Sequence, residues 1–97
     1  GILITDKQFG KKIGKHARDF GLDPSKQDDR KRMEEFILDI VNNHDDVAQG
    51  YWRGQTGLVD FFIKGNDVVI LNKQRFVTIL ENGVQNERVK IARKRKV

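Results

Sequence analysis

Three features of this sequence predict an α+β domain in which N-terminal helices pack on an antiparallel β-sheet. Apolar residues recur with a helical period up to about residue 43, whereas from Gly50 onward the runs are short, β-branched and aromatic. The later runs are joined by connections of hairpin length, so neighbouring strands run antiparallel. Ninety-seven residues make one domain: about 6–43 helical, about 50–80 sheet, and 84–97 a basic tail.

Gly1 to Thr5 is a short apolar lead-in, and the start without methionine is what a fragment cut from a longer chain would show. A first helix is expected from about Asp6 to Phe20, capped by Thr5 or Asp6 and ended by Gly21 in a left-handed conformation. With Phe9 set to zero and 100° per residue, Phe20 falls at about 20°, Ile13 at about 40°, Ala17 at about 80° and His16 at about −20°. His16 therefore lies in the apolar stripe, flanked by Lys12 and Asp19. A half-buried imidazole there is either a core histidine bonded to a backbone carbonyl or a proton acceptor. Gly10 and Gly14 each cost a helix about 1 kcal/mol against alanine. Being four apart, they leave either a smooth strip along which another backbone, or a phosphate backbone, could lie, or an irregular helix.

Asp23-Pro24-Ser25 opens a second helix, and Met33, Phe36, Ile37, Ile40 and Val41 give it an apolar face at i, i+3, i+4, i+7 and i+8. Its charged residues are a solvated face. Asn42 to Asp46 ends it; His44 with two adjacent aspartates makes a poor metal site, because neighbouring residues rarely converge on one ion. Strands are expected at Tyr51-Trp52-Arg53, Leu58–Lys64, Val68–Leu71 and Phe76–Leu80. In the last, strict alternation puts Phe76, Thr78 and Leu80 on one face and Val77 and Ile79 on the other. Thr78 would then be the one hydroxyl of that strand near His16, if the helix packs on that face. Five of the last eight residues are basic, fitting a solvated tail or an electrostatic arm.

A formal charge of +5 and a pI near 9.7 predict attraction to polyanions or to an acidic protein. With no cysteine, disulfides and thiolate metal sites are excluded. No apolar run is long enough to span a membrane.

Lys15-His16-Ala17 with Asp19-Phe20-Gly21, then Asp45-Asp46-Val47, Gly50-Tyr51-Trp52-Arg53, Asn66-Asp67-Val68-Val69-Ile70 and Arg75-Phe76-Val77-Thr78 resemble, in that order, the nuclease domain of colicin D. Related toxin tips occur on contact-dependent growth-inhibition (CdiA-type) proteins of Gram-negative bacteria. The resemblance implies a barnase/EndoU/colicin/RelE-like fold and an antibacterial ribonuclease that uses no metal or other cofactor. Its substrate would be tRNA, cut in or near the anticodon loop to leave 2′,3′-cyclic phosphate and 5′-hydroxyl ends. By position, His16 matches the catalytic histidine, Lys15 the lysine before it, and Thr78 the active-site serine. Three positions depart from the family: Ile13 stands where it carries a further lysine, Thr78 replaces serine, and Leu80 replaces tryptophan. Lys11 or Lys12 would supply the missing charge, and Tyr51 or Trp52 the missing base stacking.

The chemistry assigns the roles: His16 takes the ribose 2′-hydroxyl proton, Lys15 meets charge on phosphorus, and Thr78 bonds a nonbridging oxygen. Lys11, Lys12, Tyr51, Trp52, Arg53, Lys73 and Arg75 would bind substrate phosphates and splayed bases. The resemblance further implies secretion or cell-surface delivery as the tip of a larger toxin, action in the target cytoplasm, and a cognate immunity protein, expected to be acidic. It does not decide between self-sufficient cleavage and cleavage aided by a host factor such as elongation factor Tu. Two alternatives stand beside it: a non-catalytic nucleic-acid-binding module, and a ribosome-dependent mRNA-cleaving toxin of a toxin–antitoxin pair.

Overall fold

A short helix, α1, spans Gly14–Ala17 and tightens into a 3-10 turn at Arg18–Phe20. Gly21 then takes a left-handed conformation at φ 74° and donates its N–H to the Arg18 carbonyl, as expected of a helix-ending glycine. The computed structural model describes residues 2–4 and 13–95, so the expected start of this helix, with Gly10, Lys11 and Lys12, lies outside the described residues.

The long helix, α2, spans Gln27–Asn42. Its start differs from the expected cap: Asp23 accepts the N–H and hydroxyl of Ser25, a turn made ahead of the helix. Lys26 holds the capping position in extended conformation, without a side-chain cap. Met33, Ile37 and Ile40 are buried, as the period requires.

Four strands follow: β1 Asp46–Gly50, β2 Val59–Lys64, β3 Asp67–Asn72 and β4 Arg75–Leu80. They form an antiparallel meander in the order β1-β2-β3-β4. β1 lies ahead of the expected Tyr51–Arg53 strand, and those three residues instead open the β1–β2 loop. Both later hairpins close with two residues. Gly65-Asn66 has φ 60° at Gly65, and Lys73-Gln74 takes φ 49° and 71°, a type I′ turn made without glycine. Leu3 pairs in parallel with Arg75, through Leu3 N–H to the Gln74 carbonyl and Phe76 N–H to the Leu3 carbonyl, and so covers the β4 edge.

Helices cover both sheet faces. α1 and α2 bury one face: Ile13, Ala17, Met33, Ile37 and Ile40 pack with Val69, Leu71, Phe76 and Ile79. The residues read as a tail supply the other cover. A 3-10 turn at Gly83–Gln85 leads into α3, Glu87–Arg95, whose Val89 and Ala92 pack with Ala48, Val59, Phe61, Ile63, Val68, Ile70 and Val77. α3 sits flush on β1 because Gly50 has no side chain: a Cβ there would lie 2.9 Å from Ala92 Cβ and 3.0 Å from the Phe61 ring.

The alternation expected in β4 is broken. Phe76 pairs with Leu71 but Thr78 pairs with Ile70, so Val77 is an extra residue. This is a β-bulge. Phe76 and Ile79 consequently share the α2 face, while Val77 and Leu80 face α3.

Candidate functional site

His16 is the third residue of α1, and Ile13 and Ala17 on either side of it in the chain are buried in the core shared with α2. Its ring retains 21% of its exposure, against 50% for Asp19, the next residue on the same helix face. Nδ1 lies 3.3 Å from Asp19 Oδ2. That is just beyond the usual hydrogen-bond range, so the carboxylate acts on the ring chiefly through charge and orientation. In the tautomer that carries its proton on Nδ1, toward Asp19, Nε2 is left as the acceptor, and it has no partner among the described residues. Among the described residues Asp19 is the ring's one polar partner, and the ring is part-buried rather than fully enclosed.

Asp19 also lines a cavity of about 480 Å³ with Phe20, Lys64, Gly65, Asn66, Asp67, Glu81 and Asn82. Three carboxylates stand there against one ammonium. Lys64 is already committed to Asp39 on α2 at 2.5 Å, a bond that, with Asn43, holds the Asp39 carboxyl below the usual carboxylate range. The cavity is therefore unfavourable for a phosphate. Lys15 adjoins His16 in α1; Lys11 and Lys12 lie outside the described residues.

Thr78 is not brought to His16. The bulge pairs it with Ile70 and so turns it toward the α3 face, and only 4% of it is exposed. Strict alternation would have put it on the α2 face; the extra Val77 reverses that.

The expected substrate-binding residues gather elsewhere too. In a meander, the end of β1, the start of β2, the end of β3 and the start of β4 lie at one end of the sheet. Tyr51, Trp52, Arg53, Lys73 and Arg75 are all at that end; Asp19's cavity, with the β2–β3 turn and the end of β4, is at the other. Strands of this length separate the two ends by about 20 Å.

Two residues missed by sequence reading join the first group. The Arg88 guanidinium lies 5.8 Å from the Trp52 ring centroid, that of Arg53 lies 5.9 Å from it, and Arg95 lies 5.9 Å from the Tyr51 centroid. Their signal was the i, i+7 spacing of Arg88 and Arg95 beside Val89 and Ala92, a helical repeat hidden in a basic run. His44 is structural: its Nδ1 lies 2.8 Å from the Val41 carbonyl and its ring meets Phe62 edge-on. Among the described residues, no three histidine, aspartate or glutamate side chains converge on a metal position, and no helix is long and apolar enough to cross a membrane. Compared with known proteins, the chain matches no family model, no curated protein and no solved structure.

Proposed function

We propose that this chain is the nuclease domain of an antibacterial toxin, cleaving tRNA in or near the anticodon loop without metal. The observation that carries the reading is the His16–Asp19 pair: a partly exposed imidazole, oriented by a carboxylate, with Nε2 left to accept a proton. In this scheme His16 takes the proton of the ribose 2′-hydroxyl and O2′ attacks phosphorus. The P–O5′ bond breaks, the 5′ oxygen gains a proton in place of the one lost, and a 2′,3′-cyclic phosphate remains. Lys15 meets the charge that builds on the phosphate oxygens. Thr78, buried and turned to the opposite face, is assigned to the sheet rather than to the reaction.

The resemblance to colicin D-like toxin tips supplies the substrate class, delivery from a producing cell into the cytoplasm of a target, and neutralisation by a cognate immunity protein. A basic chain favours an acidic partner. The roughly 20 Å between the His16 end and the aromatic end of the sheet suits a folded RNA stem-loop better than a dinucleotide.

The test is to incubate the domain with total bacterial tRNA in EDTA, beside His16→Ala, and to sequence the new ends. Discrete anticodon-region cuts, lost in the folded variant, are expected. Intact tRNA with wild-type protein, even after cell extract supplies host factors, would overturn the reading in favour of a binding module without catalysis.

A further inference from the structure

We propose that the β1–β2 loop and the adjoining flank of α3 form a platform for single-stranded nucleic acid, on the face and end of the sheet away from His16. Five residues make it: Tyr51, Trp52, Arg53, Arg88 and Arg95.

The loop holds Trp52 in place. Gln55 N–H donates to the Trp52 carbonyl, Asn72 Nδ2 donates to Gln55 Oε1 at 2.9 Å, and the indole meets Phe61 edge-on at 6.3 Å. Arg53 and Arg88 rest on this ring, and Arg95 rests on Tyr51, which keeps 58% of its surface exposed. A guanidinium stacked on an aromatic ring retains outward N–H donors for phosphate oxygens. Its plane and the exposed phenol ring are also surfaces on which a base stacks.

The charge is free to act on a ligand. Arg93, on another flank of α3, is bound to Asp46, but no carboxylate is in ion-pair contact with Arg53, Arg88 or Arg95 among the described residues. Arg88 and Arg95 are seven residues apart, so they stand side by side along the helix with a rise of about 10.5 Å. Gly50 permits the close docking of α3 that brings both arginines to the rings. An acidic peptide would satisfy the arginines but offers no π-face to Tyr51, and in a duplex the bases are already stacked. The ligand that uses both features is single-stranded.

The platform stands independently of catalysis, and the test keeps them apart. Trp52 is the only tryptophan, so its fluorescence reports this surface directly. The probe is a short 2′-O-methyl oligouridylate, which lacks the attacking hydroxyl and is not cut whatever His16 does. Binding should change Trp52 emission. The double substitution Arg88→Gln, Arg95→Gln should weaken affinity about tenfold or more and lower the salt slope of log K by about 1.4, at about 0.7 per phosphate lost. Tyr51→Ala, at an exposed position outside the core, should weaken binding about tenfold without altering that slope. Unchanged affinity in both folded variants would overturn the proposal. So would polyglutamate binding as tightly as the oligonucleotide with the same emission change, which would assign the surface to an acidic protein.

Discussion

The two helical covers of the sheet differ in what each contributes. α2 is sixteen residues long, carries Asp28, Asp29, Glu34, Glu35 and Asp39 against Arg30, Lys31 and Arg32, and buries three large side chains. α3 has nine residues, only Glu87 against five bases, and buries Val89 and Ala92. One cover is an acidic anchor and the other a basic surface held by a small contact. Stability is thus expected to reside on the α2 face, and polyanion binding on the α3 face.

Core truncation tests this contrast most severely. Ile37→Ala on α2 leaves a cavity among fully buried neighbours and should cost about 3–4 kcal/mol, a large share of the stability of so small a domain. Val89→Ala on α3 removes less and should cost about 2 kcal/mol. Urea unfolding followed by circular dichroism measures both; equal losses would mean that α3 is as much an anchor as α2.

Gly50→Ala separates docking of α3 from stability of the sheet. The added methyl would lie 2.9 Å from Ala92 Cβ, closer than real Cβ contacts come, and a tight 3.0 Å from the Phe61 ring, so α3 should lift at a cost of about 1–3 kcal/mol. Trp52 emission should shift because Arg88 leaves its ring, while the α2-face core remains packed. A variant with wild-type emission and stability would show that the close approach matters little.

The contrast also explains what could be read in advance. α2 was legible because its apolar residues fall on one stripe and the rest is charged. β4 was legible as a strand but its faces were not: Phe76, Val77, Thr78 and Ile79 are all buried, so nothing in the pattern marks where alternation breaks. β1 was missed because an edge strand reading Asp-Val-Ala-Gln-Gly has too few apolar side chains to alternate. α3 was read as a tail because two small buried residues are outweighed by its bases. At the candidate site, helix geometry placed His16 next to Asp19 correctly. The distance from His16 to Tyr51 and Trp52 was not legible, since it depends on which end of the sheet the first helix docks against.

The smallest effects lie in the ion pairs that tie each helix to the sheet. Arg93 on α3 reaches Asp46 on β1 at 3.2 Å, and its replacement by glutamine should cost about 0.5 kcal/mol or less, as partly exposed pairs do. The α2 tie has the opposite polarity, with Asp39 on the helix and Lys64 on β2, and it has a pH signature. The bond from Lys64, and secondarily that from Asn43, lowers the Asp39 pKa in the folded chain. Such a group stabilises the fold fully above its unfolded value, near 4, and that contribution is lost as pH falls through the lower folded value. Asp39→Asn should therefore make stability fall less steeply below about pH 4. Part of the slope should remain, because Asp23 is lowered in the same direction by the hydroxyl and N–H of Ser25. Urea unfolding over a pH series checks this. Parallel curves for wild type and Asp39→Asn would show that the tie titrates alike in folded and unfolded chains, leaving α2 held by its apolar stripe alone.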